Sequence, residues 1–183
     1  MGLFIVKLDH FDPDGWPALA APYRIDEKQS HDTCREMIRQ FGTQNCILLV
    51  GSQSPRTLHR FKRKALALVK LQNSIYRTDQ IVDPQLVRSE HYSRVSDGNF
   101  RMPYCVPYSQ VIVFSRPYKD ARELCGEELV DNNNRRNWRI ELSKEQTEKA
   151  MHIIRTIKTK PQIKDKPKVP PLEVVIPPET NDP

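Results

Sequence analysis

The chain has 183 residues, 28% of them charged, and a formal net charge of +6. That length suits one domain with appendages and a core of its own, and no apolar run approaches the length of a membrane-spanning helix. Four cysteines without CxxC spacing, lying mostly inside apolar runs, exclude a disulfide scaffold and point to reduced core thiols in the cytoplasm. The positive charge is concentrated: residues 45–130 carry +5 and 131–160 carry +4, against −2 for 1–44 and −1 for 161–183. This pattern predicts a basic face on the folded part of the chain and not a basic tail.

No secretory leader is expected ahead of the first strand, and Val6 stands where an N-myristoylation signal needs Ser or Thr. Residues 3–8 (LFIVKL) predict that strand. A loop rich in proline and aromatics follows, from Asp9 to Tyr23. The stripe Cys34, Met37, Ile38, Phe41 predicts a helix starting near Gln29 to His31, capped by Ser30 or Asp32 and ended by Gly42. Residues 46–50 (CILLV) and 65–71 (ALALVKL) predict two buried strands. Further on come a short strand or turn at 74–77, a short helix near 83–88 opened by Asp83-Pro84, and a strand at 110–115 entered through proline-broken sequence. A helix at 120–125, an Asn-rich loop over 131–137 and a strand at 138–142 follow. The last helix runs from the Ser143–Gln146 capping box to about Lys158, and Phe114 and Trp138 are expected in the core. After Lys160 the proline-rich sequence predicts an extended, largely disordered tail or linker over 161–183. Its one apolar island, Leu172 to Ile176, is suited to docking on a partner or on the domain's own sheet edge.

Between the two buried strands stands Gly51-Ser52-Gln53-Ser54-Pro55, a breaker cluster, and then Arg56, Arg60, Phe61, Lys62, Arg63 and Lys64. So many cations between two core strands must be held at the surface beside a rigid floor, where binding residues are commonly displayed. These six residues are the candidate nucleic-acid contacts, with the phosphate backbone of DNA or RNA as the anion. Trp16, Tyr23, Tyr92, Tyr104 and Tyr108 lie in loops or at strand ends, as base stacking requires. No catalytic, metal or cofactor site is expected. His31 and Cys34 lack a second ligand pair, Gly51-Ser52 lacks the rest of a phosphate loop, and Glu141 with Lys144 fits a strand end and a helix cap. An enzyme acting on nucleotides would have to use Asp9 or His10.

The order of elements, with Ser52 just after CILLV, the small-apolar strand Ala65 to Leu71 and the strand-to-basic-proline step Val111 to Pro117, resembles the PUA-like superfamily over residues 3 to about 158. The likeness is to its EVE and ASCH branches, departing from them at Lys7-Leu8-Asp9-His10 and at Pro103-Tyr104. The resemblance implies an α+β fold with a small mixed, partly closed β-barrel and flanking helices over 1–160. It implies recognition of a modified or flipped base in a pocket lined by Trp16, Ser52 and Tyr104, with an effector protein fused or associated. The alternative is a protein-interaction or regulatory module that uses the basic face and the C-terminal tail.

Overall fold

A computed structural model describes residues 2–12, 14, 17–21, 27–83, 85, 102–131 and 139–176. The fold is α+β, with strands paired in both parallel and antiparallel senses and five α-helices among the described residues. None of these helices is long and apolar enough to cross a membrane. The chain divides into two compact units: unit 1 takes Met1–Phe11, Gln44–Lys70 and Gln110–Ile163, and unit 2 takes Asp12–Thr43, Leu71–Ser109 and Lys164–Pro183.

Unit 1 is built on β1 (Leu3–Leu8) and β3 (Cys46–Gly51), which run parallel in the register Leu3 with Cys46 to Leu8 with Gly51. Continuous apolar runs suit such strands because both faces are covered; all six residues of β3 are buried. β4 (Ala65–Leu71) pairs antiparallel with β3, and β7 (Arg139–Glu141) antiparallel with β1. β8 (Thr159–Ile163) lies along the C-terminal half of β6 (Tyr104–Phe114). Pairing therefore runs β7-β1-β3-β4-β6-β8, with no hydrogen-bonded closure from β8 to β7 among the described residues. One face of this sheet, through Ile5, Leu48, Leu68 and Phe114, packs on Leu124 of α3 (Ala121–Cys125), Val130 of α4 (Glu127–Asp131), and Ala150 and Ile154 of α5 (Lys144–Ile154). Each fully buried side chain of this size contributes roughly 1.5–3 kcal/mol.

The last helix begins as its sequence dictates. Ser143 Oγ accepts from the Gln146 N–H at 3.2 Å, and Gln146 Oε1 accepts from the Ser143 N–H at 2.9 Å. It stops at Ile154 and not near Lys158, because Thr156 turns its N–H and hydroxyl back on the Ile153 carbonyl while Ile157 carries the apolar stripe past the helix end.

In unit 2, β2 (Ala18–Ala21) and β5 (Ser74–Arg77) pair antiparallel with the N-terminal half of β6, and β9 (Glu173–Val174) pairs with β5. Helix α1 (Glu27–Phe41) buries Cys34, Met37, Ile38 and Phe41, the expected stripe, and ends at Gly42 with φ +57°. Its start differs from the expectation: Ser30 and Asp32 lie inside the helix, Ser30 fully buried and Asp32 paired with Arg35, so neither is the cap. A single helical turn, α2 (Thr78–Ile81), follows β5; the helix expected at 83–88 lies mostly outside the described residues.

Two further differences concern proline. β6 starts at Tyr104, six residues before the expected strand, and passes straight through Pro107. The Pro107 carbonyl accepts from Gln72, so the missing N–H falls at the break between β4 and β5, where the ladder is interrupted anyway. The tail departs from its expected disorder at two places. Residues 159–163 form β8 with Pro161 opposite Ile112, and 173–174 form β9, so the Leu172–Ile176 island docks on the chain's own sheet edge. None of the four cysteines forms a disulfide and all are buried, with the Cys105 and Cys125 thiols pushed by desolvation up to about 12.

Candidate nucleic-acid interface

The loop after β3 is fixed at its root by a close backbone approach. The Gly51 N–H donates to the Lys64 carbonyl and the Gly51 carbonyl accepts from Arg63, both at 2.9 Å. A Cβ on Gly51 would stand 1.8 Å from the Phe61 carbonyl oxygen, so the 59–64 segment lies directly against glycine backbone. Arg63 sits at φ 58°, a left-handed conformation that costs a non-glycine residue roughly 1–2 kcal/mol. It is held there by the bond to Gly51, by the Ala121 N–H on its own carbonyl, and by its side chain. Arg63 Nε lies 2.9 Å from Asp131 Oδ1, and Nη2 donates to Gln53 Oε1 at 2.8 Å, while Gln53 donates in turn to Asp131. Burial lowers the Lys7 ammonium below its ordinary value, with the Asp131 charge pulling the other way.

Lys64 lies 3.6 Å from Asp120, the N-cap of α3. Bonds from the Arg122 guanidinium hold the Asp120 carboxyl below its ordinary range. A depressed acid contributes stability above its unfolded pKa of about 3.9, and that contribution is lost as pH falls through the lower folded value. Asp120→Asn keeps a good cap but removes the charge. It is expected to cost roughly 1–2 kcal/mol at pH 7 and little once wild-type Asp120 is itself protonated. Urea denaturation of both proteins from pH 7 down to pH 2 checks this.

The predicted contacts thus divide. Arg63 and Lys64 are bound to carboxylates of their own unit. Arg56 is exposed, with its backbone N–H on Ser54 Oγ at 3.2 Å, and Lys62 is half-buried beside its bridge to Gly51. Arg60 is exposed on a 3-10 turn (His59–Phe61), and its guanidinium lies 4.9 Å from the centroid of the Phe61 ring. Phe61 is only 6% exposed and stands edge-on to Tyr118 at 5.7 Å, so it mounts its neighbours where a stacking role would need a bare face. Arg116 in turn lies 5.9 Å from the Tyr118 centroid. Arg60, Phe61, Tyr118 and Arg116 therefore make a continuous ladder, two exposed arginines on two packed rings. Among the described residues no ion pair holds Arg60, Lys62 or Arg116.

Arg116 and Tyr118 are absent from the predicted site. The signal was the run Ser115-Arg116-Pro117-Tyr118-Lys119 after β6, but folding is what brings that loop onto the basic one, through the backbone bonds Ala65 to Lys119 and Ala121 to Arg63 and the contact of Tyr118 with Phe61.

The base-pocket residues are not brought together by anything described. Ser52 lies in unit 1, where its Oγ contacts Asp9 Oδ1 at 2.5 Å and Thr57 Oγ1 at 2.7 Å and accepts from the Ser54 N–H. These bonds fold the loop on itself and tie it to Asp9 just past β1. Tyr104 lies in unit 2, its hydroxyl donating to Glu27 at 3.4 Å and its ring 5.1 Å from His31. Trp16 is outside the described residues, as are Tyr23, Tyr92 and Trp138; Phe114 and Tyr108 are buried. Among the described residues no group of three or more His, Cys, Asp or Glu side chains could hold a metal ion. Compared with protein-family models and with curated proteins, the chain matches none.

Proposed function

We propose that the basic face of unit 1 binds nucleic acid, DNA or RNA, through its phosphates. The arginine–aromatic ladder carries this reading. Each guanidinium rests on a packed ring, which fixes its direction while leaving its donors for an incoming anion. Phosphate contacts position a nucleic acid without reading its sequence, so binding at this face is sequence-tolerant. Lys62 and Arg56 extend the same face. Recognition of a modified or flipped base belongs to this proposal only as an addition, and a base on Ser52 would compete with Asp9 for its hydroxyl. Support for a PUA-like, partly closed barrel comes from the parallel β1–β3 pair beside the antiparallel pairs β1–β7, β3–β4 and β6–β8, and from the long β6. The buried thiols fit a reducing, cytoplasmic setting.

The test is a salt titration with a single-stranded oligonucleotide. Each phosphate contact contributes about 0.7 to the slope of log affinity against log salt for a single strand. Arg60→Ala combined with Arg116→Ala removes two contacts and is expected to make the slope shallower by about 1.4, with weaker binding to every sequence. Unchanged slope and affinity in the folded double variant would sink the proposal.

A further inference from the structure

In unit 2, helix α1 carries His31 and Arg35 one turn apart, and both reach the same carboxylate, Glu173 of β9. Arg35 Nε lies 2.9 Å from each Glu173 oxygen, Nη2 lies 2.8 Å from Oε2, and His31 Nε2 stands 3.4 Å from that oxygen. Tyr104 continues the cluster: its ring is edge-on to His31, and the Arg77 guanidinium lies 5.9 Å from its centroid. The acids of the neighbourhood each hold a group in place. Asp32 pairs with Arg35 at 3.2 Å, Asp79 with Arg77 at 3.3 Å, and Glu27 takes the Tyr104 hydroxyl. The Arg35 pairing also holds the Glu173 carboxyl below its ordinary range, with His31 and Arg39 adding to the effect.

A guanidinium fork beside an imidazole fits any anion that offers two oxygens, carboxylate or phosphate alike. Here the carboxylate arrives on a two-residue strand at the end of a proline-rich segment. Its backbone pairs with β5 over only two residues, Val174 opposite Ser74 and Glu173 opposite Ile75, flanked by the Leu172 N–H on the Ile75 carbonyl and the Val175 N–H on the Asn73 carbonyl, and its one buried side chain is Val175. Leu172, Val174 and Ile176 point outward at 53%, 55% and 84% exposure. The occupant is thus lightly attached to a well-built receptor.

We propose that Glu173 is an internal plug, and that the His31–Arg35 fork, flanked by Tyr104 and Arg77, takes a phosphate group when residues 172–176 lift off β5. An attached ligand competes at an effective concentration of millimolar order, which suppresses weak external binding until the strap opens. This site lies in unit 2 and does not depend on the nucleic-acid reading of unit 1.

The test uses the full chain with inorganic phosphate at constant ionic strength, followed by amide NMR shifts of residues 31, 35 and 104. Two variants open the strap by different means. Glu173→Gln removes the plug's charge, and Val175→Pro removes a strap hydrogen bond while keeping net charge unchanged. Both are expected to bind phosphate at least about tenfold more tightly than wild type. Adding Arg35→Ala to either should abolish the gain, while Arg35→Ala in the closed wild-type chain should change little. A terminal and an internal phosphate are then told apart by competition with a short oligothymidylate bearing a 5′-phosphate or a 5′-hydroxyl. No gain in a folded Glu173→Gln protein, or a gain that survives Arg35→Ala, would overturn the proposal.

Discussion

Gly51→Ala is expected to cost roughly 3–5 kcal/mol or to prevent folding, an effect at the top of the range for single substitutions. The added methyl would stand 1.8 Å from the Phe61 carbonyl oxygen, and that atom is backbone, with no rotamer to move it away. Relief requires the 59–64 turn to back off the end of β3. That breaks the bonds of Gly51 to Lys64 and Arg63 and draws Phe61 from its packing on Tyr118. Such a shift would also dismantle the arginine ladder, so under the proposed function any folded remnant should bind nucleic acid more weakly than the wild-type chain. Gly42→Ala is the control. Gly42 is left-handed at φ +57° and a methyl carbon added there would meet nothing within 4 Å, so only the conformational penalty of about 1 kcal/mol applies. Denaturant unfolding of the two variants should therefore differ by at least about 2 kcal/mol. Equal stabilities would mean that the basic loop does not rest on Gly51.

Where one physical rule governed a segment, the sequence was sufficient to read it. β1, β3 and β4 are apolar runs broken only by Lys7 and Lys70, and α1 shows its stripe and its glycine stop. The Ser143–Gln146 box announces α5 at its first turn. Reading failed where two rules competed. Pro107 and Pro161 signal a break, yet each occupies a ladder position where a missing donor costs little, so β6 proved longer and β8 unexpected. β2 is four residues, three of them alanine, and carries no β propensity to betray it; only its pairing with β6 makes it a strand. For the candidate site, composition located the basic loop but could not divide its cations. Asp120 and Asp131 lie 56 and 68 residues beyond Lys64 and Arg63, and folding alone assigns them as partners. Arg116 became visible as a partner of the site only through the contact of Tyr118 with Phe61.

Truncation after Lys160 is expected to lower stability by roughly 2–4 kcal/mol, which for a chain of this size is a fall of about 5–15 °C in melting temperature. The cut removes three of the five β8 pairings on β6, those of Pro161, Gln162 and Ile163, together with all of β9. Net backbone hydrogen bonds contribute about 1 kcal/mol each, and the loss of buried Val175 adds roughly 1.5–2 kcal/mol. The Arg35–Glu173 pair adds little, since Arg35 is more than a third exposed and its charge is screened by solvent. Chain entropy regained by the absent segment offsets part of the total, which keeps the expectation below the plain sum. A second truncation after Lys164 separates the two strands, because it keeps β8 and loses only β9. The shorter chain should melt below the Lys164 truncation, and that truncation below the full chain. Melting of all three within about 2 °C would show that neither tail strand contributes to the fold. A deficit confined to the shorter chain would make β8 the one strand of the tail that supports the fold.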